Sequence, residues 1–588
     1  MNPLKLLNKF LIWRIRHIST RNWIIILGAL VGVLGGFAAV ILKSTVHFIQ
    51  EFLAHQDLGY GFIFLPAVGI LITSFLANKV LREQLGHGIT TILYYISKKS
   101  SIIQRTRMYS RMVTSAITVS FGGSVGLEAP IVVTGSAIGS NIGQLMHLNY
   151  RQRTLMIGCG AAAAISGIFN SPVAGVIFSV EVILTNVSIG AFIPLLISSV
   201  AGALISTLLV GDDVLFSFDL ADPFIATDVI WYLLLGAVTG LVSYYFTQVT
   251  FWAERLIEKL KNNYLRAIIG GLALGVIILF FNPLFGEGYK TITSILNGET
   301  SGLMQNSMLL SSIETEWFIL LFAFLIILIK PIATGLTIGS GGNGGIFAPS
   351  LFIGGITGYL FSSVYNLTNP SEQLSVSNFT LVGMCGVMSG VLHAPLTAIF
   401  LIAEITSGYT LFLPLMLVSA IAFTTNSYFQ KHSFYTEKLI KAGDLITNDK
   451  DKEVLSLLKV KKLVETDLLT IEPHKTLGDL VALVKKSKRN IFPVVDAENR
   501  FKGIITLDDI REIMFDNDSQ KSVIVERLMH KPPETVDFEE SMESAMRKFE
   551  RTGAWNLPVL ANEEYVGVVS KSRIFNSYRT RLKRQQYN

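Results

Sequence analysis

The chain has 588 residues, half of them hydrophobic and only 16% charged, well below the roughly 25% charged residues of an average soluble protein. Its 49 lysines and arginines against 43 aspartates and glutamates leave a formal net charge of +6. The two cysteines, Cys159 and Cys385, lie in Gly/Ala-rich apolar stretches and exclude a disulfide framework or a zinc spacing. No nucleophile, metal or acid–base constellation recommends an enzyme.

The N-terminal stretch "MNPLKLLNKFLIWRIRHISTRN" is basic and runs into the uncharged segment Trp23–Leu42. That segment is long enough to cross a bilayer core, which takes about 20 residues, and has no small-residue cleavage site. It reads as a retained first membrane helix. Lys98, Lys99, Arg105, Arg107 and Arg111 crowd a later loop, so both basic stretches are expected on the cytoplasmic side. These loops and the basic tail "RTRLKRQQ" explain the net charge, and nucleic-acid binding is not required. Further uncharged runs follow at Phe192–Gly211, Val229–Ala253 and Ala267–Phe285, with a shorter one at Trp317–Ile329. From about Ala442 the composition becomes that of a soluble α/β module. The expected organisation is a membrane domain over 1–441, a linker over 442–460, and two soluble copies over 461–517 and 524–582.

The membrane half repeats itself. "GLEAPIVVTGSAIGSNIG" from Gly126 lies over "GIFAPSLFIGGITGYLFS" from Gly345, an offset of 345 − 126 = 219. "FNSPVAGVIFSVEV" from Phe169 lies over "LHAPLTAIFLIAEI" from Leu392, an offset of 392 − 169 = 223. "GHGI" at Gly86 and "GEGY" at Gly286 form a third ordered pair. The halves fall at about 22–210 and 229–437, and repeats with broken helices are characteristic of transporter folds.

In "GLEAP" and "GIFAP" a proline follows a glycine by four positions, just before a helical stretch. Proline is tolerated in a helix's first turn, and the glycines leave backbone N–H groups accessible. Two such helix starts, one from each half, would aim free amides and positive dipole ends at one place: an anion site without a full positive charge. Glu128 lies at the mouth of that site. Ionised, it would compete with the anion for the amides; protonated or displaced, it would let the anion pass. Glu181 and Glu404 each follow a proline by nine residues, so a shared capping role is expected rather than proton relay. His393 is expected to be structural.

These motifs resemble the CLC family of chloride channels and chloride/proton exchangers. The resemblance implies an α-helical polytopic membrane protein with an inverted internal repeat and broken helices, assembled as a homodimer in the lipid bilayer. It places Glu128 at the gating glutamate and His87, Gly88, Ile89, Ala129, Ile346, Phe347 and Tyr435 around the anion. His87 stands where the family has a serine, and Thr90 where it has a proline. A histidine ring can donate to an anion, or turn aside and leave the backbone to bind. Leu127 replaces the usual basic residue before the glutamate. Val182 occupies the position of the inner proton-relay glutamate, and valine carries no proton. The expectation is therefore a passive chloride channel gated by Glu128, with a proton-coupled exchanger using another internal route as the alternative. A membrane receptor without transport is the reading from a different class, and it predicts no anion flux.

From Lys461 the chain reads strand, helix, strand, strand, helix, and "FPVVDAENRFKGIITLDDI" recurs as "LPVLANEEYVGVVSKSRI". This tandem repeat resembles a pair of cytoplasmic CBS domains. Thr506 and Asp509 match the nucleotide-contacting positions in the first copy; in the second Ser570 remains but Arg573 replaces the aspartate. A structural or dimerising role is expected, with one degenerate adenine-nucleotide site as the alternative. No cofactor is expected to be required, and chloride is the expected occupant of the pore.

Overall fold

A computed structural model describes residues 3–56, 59–83, 85–184, 189–211, 222–299, 315–406, 408–441 and 458–587. Of the expected linker, residues 442–457 lie outside the described residues. The chain divides into two units, Met1–Leu445 and Ile446–Asn588.

The first unit is helical. Its first half runs α1 (Pro3–His17), α2 (Thr20–Ala54), α3 (Leu65–Phe75), α4 (Gly88–Lys98), α5 (Ser110–Ser120), α6 (Glu128–Leu145), α7 (Tyr150–Phe169), α8 (Pro172–Phe178) and α9 (Phe192–Val210). The second runs α10 (Val229–Glu258), α11 (Asn263–Phe280), α12 (Tyr289–Leu296), α13 (Glu316–Gly339), α14 (Phe347–Thr368), α15 (Val376–Leu392), α16 (Pro395–Ile405), α17 (Phe412–Phe429) and α18 (Phe434–Lys441). Among the described residues, eight helical segments are long and apolar enough to cross a membrane. The apolar window of α14 is 78% buried within the protein against 33% for α11, so α14 belongs to the centre and α11 to the periphery.

The sequence repeat is also a packing repeat. Helix α6 lies on α7 as α14 lies on α15, and α2 packs on α9 as α10 packs on α17. Glycine makes the central crossings possible at matching positions. A Cβ on Gly139 would lie 1.9 Å from the Met156 carbonyl oxygen, and one on Gly358 the same distance from that of Phe379. Small residues at such crossings let membrane helices approach closely enough for dispersion to hold them. Asn170 and His393 take the same left-handed C-cap conformation, at φ 55° and 54°, and end α7 and α15 just before Pro172 and Pro395. His393 thus serves to turn the chain.

Two expectations are corrected. The run Trp317–Ile329 is not a short segment: α13 continues through Pro331 for 24 residues. Lys330 does not end the helix because its ammonium group is buried among oxygen acceptors, donating to Ser124 Oγ at 2.8 Å and the Gly286 carbonyl at 3.2 Å. Arg111 likewise is no loop residue. It lies in α5, only 1% exposed, and donates to the Gly86 carbonyl and Asn343 Oδ1.

The second unit repeats one small α/β motif. In the first copy the helix Leu477–Lys486 precedes an antiparallel hairpin of β1 (Ile491–Val495) and β2 (Phe501–Thr506), and a lone parallel bridge, Ile471 to Val494, stands for the leading strand. In the second, β3 (Val536–Asp537) pairs in parallel with β4 (Asn556–Ala561), which pairs antiparallel with β5 (Glu564–Ser570). The helix Met542–Thr552 crosses between β3 and β4. The copies interlock through their turns, with Phe501 N–H donating to Glu563 and Tyr565 N–H to Asn499.

Candidate anion-permeation site

Two loops with the same construction deliver α6 and α14 to one point. Gly122 and Gly341 sit at φ 93° and 99°, backbone that side chains disfavour. Gly123 N–H then closes on the Thr118 carbonyl as Gly342 N–H closes on that of Thr337. Each loop is pinned by the other half: Ser124 N–H donates to Thr337 Oγ1 at 3.1 Å, and Asn343 N–H to Thr118 Oγ1 at 3.0 Å. At the centre Gly126 and Gly345 exchange both backbone hydrogen bonds, at 2.9 and 2.7 Å. Reciprocal bonds between repeat mates require a pseudo-two-fold axis at that spot, and the first turns of α6 and α14 face each other across it. A Cβ on Gly126 would meet the Ala348 side chain at 2.8 Å, and one on Gly345 that of Ala129 at 2.7 Å.

Glu128 fills the junction. It is 1% exposed, and its carboxylate lies within reach of its own backbone N–H and that of Ala348. Tyr289, at the start of α12, donates its hydroxyl to Glu128 Oε1. Oε2 is pressed against Gly126, where any Cβ would overlap it, and makes no hydrogen bond of standard geometry. The donors around this buried carboxylate are thus peptide N–H groups and a neutral hydroxyl. Glu287, partly buried, takes the Leu127 N–H at 3.2 Å, and Lys330 lies beside it through its bond to Gly286.

The remaining expected residues gather nearby, though not all as donors. Ile346 and Phe347 are buried at the start of α14, with Phe347 packed against Phe169 and Phe178. Gly88 opens α4 against the Ala129 carbonyl, where a Cβ would lie 3.1 Å away, and Ile89 is fully buried. Tyr435 is 1% exposed, and its hydroxyl has no hydrogen-bond partner among the described residues. Thr90 ties the two parts together, its hydroxyl donating to the Tyr435 carbonyl at 2.9 Å; a proline there has no such donor. The His87 ring is turned to Glu254, Nε2 to Oε2 at 3.2 Å, and packs edge-on against Phe434.

Glu181 and Glu404 form a reciprocal clasp. Glu181 accepts from the Leu396 and Thr397 N–H groups and the Thr397 hydroxyl, while Glu404 accepts from the Val173 and Ala174 N–H groups, each at 2.8 Å. Each carboxylate caps the Pro-initiated helix of the other half. Val182, in the turn Ser179–Ile183 that ends this segment, is partly buried. In the second unit Thr506 and Asp509 bond to each other as a capping box. Among the described residues no group of His, Cys, Asp and Glu suits a metal ion.

Sequence reasoning did not single out Tyr289, Glu254 or Lys438, nor read Arg111 and Lys330 as a buried pair. The signal for the pair was present: 330 − 111 = 219, the repeat offset itself.

A duplicated helical membrane domain whose two halves bring helix starts together at a carboxylate defines a transporter-type anion pathway. The voltage gated chloride channel family profile matches residues 69–427, and the CBS domain profile matches 460–516 and 525–579. The chain belongs to the CLC family of chloride-transporting membrane proteins and carries a C-terminal CBS pair. It is 25% identical to chloride channel protein CLC-e of Arabidopsis thaliana, over 82% of this chain and 75% of that protein. It is 28% identical to the H+/Cl− exchange transporter ClcA of Vibrio cholerae serotype O1 (strain M66-2), over 67% of this chain and 84% of that one. Among solved structures, a slow cyanobacterial Cl−/H+ antiporter superposes with TM-score 0.62 at 22% identity, covering 72% of this chain and 98% of that one. A eukaryotic CLC transporter superposes with TM-score 0.61 at 18% identity, covering 94% and 99%.

Proposed function

We propose that the protein exchanges chloride for protons across the membrane, with Glu128 as the group that binds both the proton and, when ionised, the anion's place. One observation carries this reading: a buried carboxylate sits at the meeting point of two helix starts, bonded to a neutral hydroxyl and within reach of amides rather than paired with a cation. In such a place an ionised group is stabilised by its contacts with that hydroxyl and those amides. It leaves most readily once it has taken up a proton, and chloride then occupies the vacated donors. Proton uptake and chloride binding become steps of one cycle. The H+/Cl− exchange transporters among the relatives support this reading over a passive channel.

The passive channel is the second reading, and Val182 favours it, since an apolar side chain there carries no proton. Proteoliposomes under a chloride gradient decide between them. Exchange predicts protons driven uphill by chloride flow and halted when chloride is removed; a channel predicts chloride flux with no uphill proton movement. The soluble unit is proposed to lie in the cytoplasm, in line with the basic residues Lys98, Lys99, Arg105 and Arg107, and the assembly to be a homodimer with one pathway per subunit.

A further inference from the structure

Exchange requires proton access to the pathway from both faces of the membrane, and Glu128 serves it at one point. A second group is present beside the filter. Beside His87 a cavity of about 320 Å³ is lined by Gly86, His87, Glu254, Lys438 and Tyr94, with Glu258 and Arg266 at its wall. It reaches solvent, since the Lys438 side chain is 37% exposed. Within it the side chains of His87 and Glu254 are 4% and 5% exposed and meet at 3.2 Å. Lys438, from α18, holds the other carboxylate oxygen of Glu254 at 2.5 Å. The aromatic rings of Phe434 and Phe251 flank the imidazole at 5.0 and 6.3 Å between centroids.

We propose that the His87–Glu254 pair is an inner proton-transfer site of the transport cycle, loaded from water in this cavity. The inference rests on the exchange reading above. With Lys438 paired to one oxygen of Glu254, the other oxygen accepts from the His87 Nε2–H, which leaves Nδ1 as the ring nitrogen where a further proton is carried. A hydronium ion in the cavity gives up one O–H bond and becomes water as the imidazole gains one N–H bond, and release to water reverses the transfer; no other bond changes. Loading adds one positive charge one residue before Gly88, whose backbone lies on the Ala129 carbonyl next to Glu128. Proton occupancy of the pair therefore favours an anion at the filter, so chloride flux depends on the pH of the cavity side. The charged and titratable groups that face the pair are Lys438 from α18, Glu258 from its own helix α10, Arg266 from α11 and Tyr94 from α4. The same geometry explains why the ring is turned away from the filter and toward the cavity.

The test uses the full chain in proteoliposomes, recording chloride efflux and uphill proton uptake together. Glu254→Gln removes the carboxylate charge while keeping its shape, and the protons moved per chloride should fall at least about tenfold. Glu254→Asp keeps a proton-binding carboxylate and should restore most of the ratio. His87→Gln should lower the ratio as Glu254→Gln does, and both variants should lose the dependence of chloride flux on the pH of the cavity side. A wild-type proton-to-chloride ratio in Glu254→Gln overturns the site while leaving exchange intact. Loss of all chloride flux in both variants, with no rescue by Glu254→Asp, makes the pair structural and overturns it equally. A wild-type protein that drives no protons overturns the exchange reading, and this site with it.

Discussion

Among the described residues no lysine or arginine bonds to Glu128; a tyrosine hydroxyl does so, with peptide N–H groups within reach, and that choice sets its behaviour. A cation would lock the carboxylate in place, whereas amides at two helix starts serve an anion or a carboxylate equally well. Glu128→Gln should therefore keep chloride moving, abolish proton coupling and flatten the pH dependence of flux, all read in the same proteoliposome assay. Unaltered pH dependence in that variant would separate Glu128 from gating. Tyr289→Phe removes a hydrogen bond to a charged group, worth about 1.5–3 kcal/mol. Since each 1.4 kcal/mol is about tenfold, chloride flux at alkaline pH should rise roughly tenfold or more as the carboxylate undocks more easily. No change in flux would mean that Tyr289 does not hold the carboxylate in its docked position.

At the level of elements, the two halves are held by exchanged parts. Glu181 caps α16 and Glu404 caps α8, so each short, proline-initiated helix receives its missing acceptors from the other repeat. Glu404→Gln leaves the shape but weakens two charge-assisted bonds, and the unfolding temperature in detergent should drop, consistent with about 1–3 kcal/mol. Glu181→Gln should act in the same direction by a similar amount, because the clasp is two-fold. The α14–α15 crossing is less forgiving. At Gly358 a Cβ would overlap backbone, not a flexible side-chain tip, so Gly358→Ala should lower the yield of folded protein far more than Gly→Ala at an open position. Size-exclusion chromatography of the solubilised protein checks this.

Across the whole molecule the two units respond to different variables. Several surface carboxylates of the soluble unit are held below their ordinary range: Asp467 by the Arg489 guanidinium, Asp479 by the Thr476 amide and Asp516 by the Ser519 hydroxyl. Each therefore binds its proton less readily folded than unfolded. The stability they contribute is complete above the ordinary aspartate value of 3.8 and is lost as pH falls through the lower folded values. Hydrogen exchange of peptides from 458–587, corrected for intrinsic rates, should show protection falling steeply below about pH 4. The Asp509 carboxylate is already taken by Thr506 and approached by His530 at 3.4 Å. We therefore expect adenine nucleotides to leave the unfolding temperature of the chain unchanged, and a rise of several degrees would assign the CBS pair a ligand.

Much of this architecture was legible in the residues. Periodic or local signals carried it: uncharged runs of bilayer length, a motif recurring at one offset, glycines and a proline placed around a single acid. From these follow the duplicated membrane domain, the facing helix starts, the position of Glu128 and the tandem soluble motif. The partners of the charges were not legible. His87 read as a ring that either meets the anion or turns aside, Arg111 as a loop cation and the segment before Lys330 as a short span, because a charge in an apolar run does not name what it meets. Glu254 lies on α10, and Asn343 and Ser124 on loops of the opposite halves, all far away in sequence from the charges they meet and brought close by the packing of the halves. Tertiary structure alone decided that Arg111 and Lys330 bind the opposite half's loop and that His87 turns to Glu254. The physical reason is that in a membrane interior a buried charge takes whichever acceptor packing delivers, and packing is a property of the whole fold.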